Sequence, residues 1–515
     1  MATAGIVKRN ILANMLGGTW TVLLSLLAIS FHVRLLGAEA YGLLGFAASL
    51  QTLLTVLDLG LSTTVNREIA SDSSADRQFS RDLIQTASVV FWMIALLLGA
   101  ILVLGADWIA EDWLTLETLR HADAVLAIRI IALWLFFGWP LSLYINVISG
   151  LQRLDLVNTM RVITSTLSLG GGIVILLLSG GLHAFLLWTA GVALVSVVLH
   201  IAVCRRLLPG LRLTPKVSWA VVRKIWRFSL DVNLISILAI IYTQTDRILI
   251  GWLLPLRVLG YYNAAYNLTK GVGTIQYFLT SAILPSLAAD HGAGREDSLR
   301  ARYRKYSQVL NYFIALPAFA LVFFGAELLR ALTTVDTAEG AHAALILLAI
   351  GFLLNSASSA PYILSLATGH TQIPLQVNLL ALVFYLPGLY LFVDRWGIGG
   401  AGLAWALLNL YYLGAMLPRT QKRIMRASAL GWLRRDFLPF AILGVGSFWA
   451  GRALVALVRT EFAHFDLIAL GLSAMVYAAL GFLFLDKALR GEIRNLPGQL
   501  LGILKPYRMR GTDPS

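Results

Sequence analysis

The sequence predicts an all-α polytopic membrane protein with about fourteen transmembrane helices. Of its 515 residues, 58% are hydrophobic and only 13% are charged. A soluble protein would carry about 25% charged residues, so a soluble globular class is excluded. Apolar runs of about 20 residues recur along the whole chain, and each is long enough to cross a hydrocarbon core of about 30 Å.

Breaks in these runs at proline, glycine and charged residues give the bounds of the helices. We expect helices at 10–36, 40–66, 83–105, 122–148, 156–180, 182–204, 226–253, 258–287, 307–330, 343–368, 373–393, 398–417, 437–458 and 466–486. The first run is too long for the apolar region of a signal peptide, so we expect it to stay in the membrane.

The basic residues lie mainly on one side of this arrangement. With the N-terminus in the cytoplasm, the cytoplasmic segments hold 31 of the 41 lysines and arginines, most densely at 205–227. The opposite loops are short and acidic, as in ADWIAEDWLTLE at 106–117. This bias predicts that both termini are cytoplasmic. We interpret the net charge of +14 as topology determinants near anionic lipid, not as a nucleic-acid site.

Neither metal binding nor disulfide bonding is expected. The single cysteine, Cys204, excludes an internal disulfide, and its apolar neighbours predict a small core residue. The eight histidines never occur in a metal-binding spacing.

An offset of 218 residues aligns the chain with itself. LLGAEAYGLLGFAASL (35–50) then matches LLPLRVLGYYNAAYNL (253–268) without a gap at Leu35/Leu253, Leu36/Leu254, Gly42/Gly260, Ala47/Ala265 and Leu50/Leu268. Each predicted unit has six helices and starts in the cytoplasm, so the repeats are parallel, with a pseudo-two-fold axis along the membrane normal. We predict an N-terminal lobe at 1–218, a C-terminal lobe at 219–436, and helices 13 and 14 with a basic tail at 437–515.

The predicted helix at 258–287 has a polar face. Its polar residues are spaced by steps of three, one, three, four, three and four, which places them on one face of a helix: Asn263, Tyr266, Asn267, Lys270, Thr274, Tyr277 and Ser281. The opposite face, which includes Ala264 and Val272, is nearly all apolar, so we expect lipid on that side and a wet cavity on the other. Lys270 lies about 18 Å below the outer end, too deep for its side chain to reach the membrane surface. Because a central charge costs at least about 2.5 kcal/mol, it forms a structural salt bridge or contacts an anion.

Other charged residues within the spans have alternative interpretations. Arg247, Arg34 and Arg129 extend toward the membrane surface or contact a substrate. Asp58 and Asp246 pair with a buried cation or take up a coupling ion, H⁺ or Na⁺. Asp231, a third coupling candidate, lies in the first turn of its helix, where a carboxylate also stabilises the positive helix end.

Several stretches resemble one family of transporters. RLLGAEAYGLLGFAASLQTLLTVLDLGLSTTVNREIA (34–70) resembles the first helical hairpin of the polysaccharide-transporter (Wzx-type) flippases of the multidrug/oligosaccharidyl-lipid/polysaccharide flippase superfamily. TDRILIGWLLPLRVLGYYNAAYNL (245–268) is similar to their helices 7 and 8. GLQRLDLVN and ATGHTQIPLQVN are similar to the turns after their helices 4 and 10. The resemblance covers residues 1–486.

The resemblance implies two six-helix lobes around a cationic cavity, in the bacterial cytoplasmic (inner) membrane. The implied cargo is a polyprenyl-diphosphate-linked oligosaccharide (an O-antigen, capsule or exopolysaccharide repeat unit), moved to the outer leaflet by alternating access. Lysine and arginine suit its diphosphate, and the neutral polar residues of helix 8 suit sugar hydroxyls. The candidate substrate-binding residues are Lys270, Arg247, Arg34, Arg129, Asn263, Tyr266, Asn267 and Thr274. Few basic residues lie deep in the N-terminal spans, which departs from the family's pattern.

The implied partners are the lipid-linked glycan, membrane lipids and polysaccharide polymerase or assembly proteins, with no cofactor beyond a coupling ion. A lipid II-type flippase and a drug/cation antiporter of the same superfamily remain alternatives, although the antiporters have twelve helices and an acidic midplane. A membrane glycan polymerase or glycosyltransferase would need a large outer loop with catalytic carboxylates, and the outer loops here reach only about sixteen residues. We therefore do not expect an enzyme.

Overall fold

The computed structural model describes residues 2–58, 60–72, 78–179, 181–211, 218–219, 234–458, 465–487 and 489–491. In these ranges the chain forms helices joined by short turns, with one isolated β-bridge between Thr115 and Pro255. The all-α prediction is confirmed.

The helices follow the apolar runs of the sequence. Their bounds are α1 Ala2–Leu54, α2 Leu61–Ser71, α3 Gln78–Leu104, α4 Ala106–Trp108, α5 His121–Gly138, α6 Leu141–Gly150, α7 Leu154–Ser165, α8 Gly171–Ser179, α9 Leu182–Leu207, α10 Leu234–Leu253, α11 Leu256–Gly292, α12 Glu296–Leu332, α13 Val335–Ala367, α14 Gln372–Thr420, α15 Ala429–Trp432, α16 Leu438–Val458 and α17 Phe465–Phe484. A 3₁₀ turn follows α1 at Thr55–Asp58, and π-helical turns occur at Ile109–Trp113, Thr166–Gly170, Gln421–Met425 and Leu433–Phe437.

The number of membrane spans agrees with the prediction. In the described part of the chain, 11 helical stretches are long and apolar enough to cross a membrane. Breaks at Gly37 in α1 and at Trp396 and Gly397 in α14 each divide one long helix into two spans. With α10, which has 20 residues at the predicted seventh span, the total reaches the predicted fourteen or so. The protein is thus a multi-pass membrane protein.

Glycine marks these breaks because they need a backbone conformation that L side chains rarely adopt. Gly37 has φ +84° and Gly397 has φ +56°, and both lie in predicted gaps between helices. A further break contradicts the prediction of one continuous helix over 40–66. There the chain forms the 3₁₀ turn at Thr55–Asp58, and Gly60, with φ +74°, precedes α2.

Contacts divide the chain into two compact units. The first contains Met1–Gly271, Gly325–Leu348 and Asn378–Leu408, and the second contains Val272–Phe324, Ala349–Val377 and Asn409–Ser515. The first unit contains residues of both predicted lobes, whereas the second contains none of the predicted N-terminal lobe. The long helices α11–α14 each contribute residues to both units. The predicted lobe boundaries at 218 and 436 follow the sequence repeat rather than these contacts, and they stay a prediction.

The core of the first unit lies where α2, α3, α6 and α9 meet. Phe91, Leu143, Tyr144 and Val147 are almost completely buried there. The Tyr144 hydroxyl also accepts a hydrogen bond from Trp92 Nε1 at 3.1 Å, so the core contains a satisfied polar contact. In the second unit, α16 and α17 pack through Phe448 and Tyr477.

Within the first unit, α1 and α11 approach each other at two glycines. A Cβ atom on Gly42 would collide with the carbonyl oxygen of Leu256, and one on Gly260 would collide with that of Ala38. Both colliding atoms belong to the backbone, so no side-chain rotation could make room. Glycine at these positions therefore sets the distance between the two helices, and it determines where the polar face of α11 lies.

Candidate functional site

The candidate site lies on the hairpin of α10 and α11 in the first unit. Leu254 and Pro255 form the turn, and Leu256 N–H donates to Thr115 O at 2.9 Å, which fixes the start of α11. The chain is helical over all the polar residues of the predicted face, so their spacing places them on one face of α11.

Arg247 on α10 is buried, with only 7% of its surface exposed. Its guanidinium carbon lies 3.6 Å from the centroid of the Tyr266 ring on α11, a cation–π contact. Its Nη1 donates to Gln244 Oε1 at 3.4 Å, whereas Nε has no hydrogen-bond partner among the described residues. Arg247 therefore does not extend toward the membrane surface, because the stacked ring holds it inside.

Asp246, the neighbour of Arg247, is 3% exposed and faces a different partner. Its Oδ2 accepts a hydrogen bond from the Tyr262 hydroxyl at 2.5 Å, and its Oδ1 accepts the backbone N–H of Arg247 at 2.8 Å. The two residues point in different directions along α10, as their adjacent positions predict. A buried acid and a buried base thus lie side by side, each held by a tyrosine of α11.

The two asparagines of the polar face contact α1. Asn267 Nδ2 donates to the Tyr41 hydroxyl at 2.8 Å. Asn263 is 2% exposed and fills the space beside Gly45, and its Nδ2 has no partner among the described residues. Ala264 on the opposite face is fully buried too, so the expected lipid contact is wrong for this part of α11.

Lys270 lies one turn beyond Tyr266, and its side chain is exposed. Because Arg247 stacks on the Tyr266 ring, one turn before Lys270, the two cations belong to one neighbourhood. Thr274, one turn further, belongs to the second unit and is half-buried. The polar face thus changes from buried at Asn263 to accessible at Lys270.

The remaining predicted residues lie elsewhere. Arg34 donates to the Ala331 carbonyl, in the last turn of α12, at 2.6 Å. It also donates to the carbonyl of Thr333, just after that helix, at 3.2 Å. Arg129 forms an exposed ion pair with Asp107 at 2.9 Å. The Asp58 carboxylate accepts the backbone N–H of Ser62 at 2.9 Å at the start of α2. Asp231 lies outside the described residues.

Three residues of the site were not singled out from the sequence: Tyr41, Gln244 and Tyr262. The hairpin itself carries the signal for one of them. Asp246 lies nine residues before Pro255 and Tyr262 lies seven after it. Residues at similar distances from the turn of an antiparallel helical pair lie at similar heights, since each helix rises about 1.5 Å per residue.

The chemistry of the cluster favours a ligand with negative charge and hydrogen-bond acceptors. Arg247 Nε and Asn263 Nδ2 are buried donors with no acceptor among the described residues. Such groups cost free energy unless they find an acceptor. Lys270 adds a second cation at the accessible end. An arginine and a lysine together can form charge-assisted hydrogen bonds with a phosphate or carboxylate.

Two family models match the chain. The model described as "Polysaccharide biosynthesis protein" matches residues 7–289, and the model described as "MatE" matches residues 233–391. The chain is also 22% identical over 404 residues to a Shigella flexneri protein named "Putative O-antigen transporter". The matched region covers 78% of this chain and 94% of the relative.

Solved structures with a similar fold include the lipid II flippase MurJ in an inward closed conformation. The TM-score is 0.72 at 12% identity, and the match covers 91% of this chain and 98% of the other. An inward-facing multidrug resistance transporter of the MATE family gives a TM-score of 0.60 at 17% identity, with 79% and 95% covered. At these identities the likeness concerns the fold alone.

Proposed function

The chain belongs to the polysaccharide biosynthesis protein family, and we propose that it moves a polyprenyl-diphosphate-linked oligosaccharide from the cytoplasmic to the outer leaflet of the membrane. The glycan is the repeat unit of an O-antigen, capsule or exopolysaccharide. The similar proteins are transporters and flippases rather than enzymes, which supports transport over glycan polymerisation.

One observation carries this proposal: Arg247 is buried against Tyr266, and Lys270 follows one turn later. A diphosphate carries several acceptor oxygens and at least two negative charges, so it can contact both cations at once. The Tyr266 ring orients the guanidinium through its flat face, which leaves the N–H edge to donate. In this proposal, Asn263, Asn267 and Thr274 bind neutral parts of the substrate, such as sugar hydroxyls. The other arginines, Arg34 and Arg129, are weaker candidates, because carbonyls and a carboxylate already engage them.

The proposed orientation places both termini in the cytoplasm, in a bacterial inner membrane. The charge bias of the loops supports it. The turn of α10 and α11, the Gly42–Gly260 contact and the start of α13 then lie toward the outer face. The close contact of α1 with α11 supports a closed outer end in this conformation. Alternating access requires that contact to separate when the substrate is released outside.

Asp246 is the stronger candidate for ion coupling. Its burial beside Arg247 means that a proton or a sodium ion would change the charge of the site directly. Asp58 instead accepts the backbone N–H of Ser62 at the start of α2, an arrangement that supports a structural role. Polysaccharide polymerase or assembly proteins remain proposed partners.

The test compares the cell with and without the gene. We expect the deletion strain to accumulate the lipid-linked glycan in its inner leaflet and to lose the surface polysaccharide. Lys270→Ala should fail to restore export, whereas Lys270→Arg should restore part of it because the charge is kept. Arg161→Ala, which removes an exposed cation at some distance in sequence from the site, serves as the control and should restore export fully.

Two outcomes would contradict the proposal. Normal surface polysaccharide and no accumulated intermediate in the deletion strain would exclude the proposed transport. Full export by Lys270→Ala at the wild-type protein level would exclude the diphosphate contact while leaving the transport itself intact.

A further inference from the structure

A short basic segment joins α14 to α16 in the second unit. We call residues 419–435 the basic linker. It contains a π-helical turn, the one-turn helix α15 and most of a second π-helical turn. Its basic residues all have exposed side chains: Arg419, Lys422, Arg423, Arg426, Arg434 and Arg435. Six exposed cations thus lie within a segment of seventeen residues.

Buried side chains fix the backbone of the linker. Gln421 Nε2 donates to the Tyr303 hydroxyl at 3.1 Å, and Trp432 Nε1 donates to Ser307 Oγ at 3.2 Å. Between them, Ser428 Oγ accepts the N–H of Gly431 at 3.3 Å. Directly after the linker, Asp436 is 1% exposed and accepts from Gln308 Nε2 at 3.0 Å. The cations therefore project from an ordered surface rather than from a loose chain.

Most of these cations have no internal counter-charge. Within the described ranges, Lys422, Arg423, Arg426 and Arg434 form neither an ion pair nor a side-chain hydrogen bond. Arg435 lies 3.7 Å from Asp436, a carboxylate that is itself buried.

A second basic segment of the same unit, residues 290–305, is built differently. There, Arg295 and Arg302 both bind Asp290, at 2.9 and 2.7 Å. Arg300 pairs with Glu296 at 3.1 Å. The basic linker thus differs from the segment at 290–305, where carboxylates pair with the arginines.

The linker also offers apolar surface beside the charges. Leu430 is 52% exposed, four residues after Arg426. The linker joins two helical stretches long enough to cross the membrane, and only three residues separate the end of one, Met425, from the start of the next, Ala429. Its cations consequently lie at the level of the lipid headgroups, with hydrocarbon close by.

We propose that the basic linker binds the phosphate group of an anionic phospholipid of the bilayer, with Lys422, Arg423 and Arg426 as the ligands and Leu430 beside the acyl chains. Like charges held on one rigid surface repel one another, and a bound phosphate removes that repulsion. Arg426 has φ +51°, a conformation that is uncommon for arginine, and it is held there with its side chain exposed. The proposal does not depend on which substrate is transported.

The experiment measures lipid binding to the purified full-length protein in a neutral detergent. The probes are dihexanoyl-phosphatidylglycerol, dihexanoyl-phosphatidylcholine and inorganic phosphate, and native mass spectrometry gives the bound fraction. We expect phosphatidylglycerol to bind at least about tenfold more tightly than phosphatidylcholine. The triple variant Lys422→Gln, Arg423→Gln, Arg426→Gln should lose about tenfold or more of that affinity.

Two further variants separate binding from folding. Arg426→Gly should weaken phosphatidylglycerol binding while keeping or raising the melting temperature without lipid, since glycine adopts a positive φ readily. The control Arg120→Gln, Arg330→Gln, Arg395→Gln removes three exposed cations of the first unit and should bind phosphatidylglycerol like the wild type. Wild-type affinity in the Lys422, Arg423, Arg426 variant would overturn the proposal. Phosphate binding as tight as phosphatidylglycerol would overturn the assignment to a lipid.

Discussion

Gly42 and Gly260 pack reciprocally, and they are separated by the 218 residues of the sequence repeat. A Cβ on Gly42 would meet the carbonyl of Leu256, and a Cβ on Gly260 would meet that of Ala38. Ala38 and Leu256 are themselves 218 residues apart. Each half of the contact is therefore the copy of the other half, which is the relationship that a local two-fold axis produces. Residues that are equivalent in the sequence repeat are thus in direct contact in the structure.

The first prediction concerns this contact. Gly42→Ala and Gly260→Ala should each lower the melting temperature of the purified protein by at least about 2 °C, because the added methyl group meets a backbone carbonyl that cannot rotate away. Gly191→Ala is the matched control, since a Cβ there meets nothing within 4 Å. In a helix the control should be neutral or stabilising. Equal melting temperatures for all three variants would contradict the steric explanation.

The second prediction concerns the cation–π pair. Arg247→Ala should reduce export of the glycan at least about tenfold, and Arg247→Lys should keep only part of it, because lysine lacks the planar fork. Tyr266→Phe should be close to wild type, since Arg247 contacts the face of the ring. Tyr266→Leu should behave like Arg247→Ala. The measurement is the amount of surface polysaccharide, normalised to the amount of the variant protein in the membrane. A defect in Tyr266→Phe as large as that in Tyr266→Leu would contradict the role of the ring face.

The third prediction concerns ion coupling. If Asp246 binds the coupling ion, transport by Asp246→Asn should no longer respond to an uncoupler, whereas the wild type should slow down. Asp155→Asn is the control, because Asp155 forms an exposed pair with Arg153 that contributes little. Transport in vesicles with and without an imposed gradient provides the measurement. An Asp246→Asn protein that transports and still responds normally to the uncoupler would exclude this residue as the coupling site.

The fourth prediction concerns Glu39, a buried carboxylate that follows the break at Gly37. It accepts the backbone N–H groups of Glu117, Thr118 and Leu119, as well as the Thr118 hydroxyl. Glu39→Gln should destabilise the protein by about 1.5–3 kcal/mol, because hydrogen bonds to a charged acceptor are the stronger ones. The measurement is the unfolding midpoint, with the exposed Glu111→Gln as control. A midpoint equal to that of the control would show that the carboxylate charge is dispensable.

The sequence predicted the helices well because each depends on a property of its own residues. Apolar length gave the spans, and glycine gave the breaks at Gly37 and Gly397. The break before Gly60 was missed, since the apolar run continues through it and hides a local change of backbone. The helical period of α11 likewise predicted which residues share a face.

What lies opposite that face could not be predicted in the same way. The burial of Ala264 depends on packing by other helices, which the residues of α11 do not specify. The stacking of Arg247 on Tyr266 also joins two helices. Whether the arginine side chain packs inside or extends to the membrane surface therefore depends on the neighbouring helix, not on the residue type alone. The local spacing of apolar and polar residues predicts a helix and its faces. What packs against each face depends on residues far away in the sequence.

The position of Gly45 beside Asn263 limits which residues the two halves of the repeat can carry there. These residues are also 218 apart, so a residue and its own copy occupy one shared space near the axis. That space holds one amide side chain and not two. The same bulky residue in both halves would not fit here, which is consistent with the difference between the two halves at this position. Complementary exchange of the pair, Gly45→Asn with Asn263→Gly, conserves the total volume where either change alone does not.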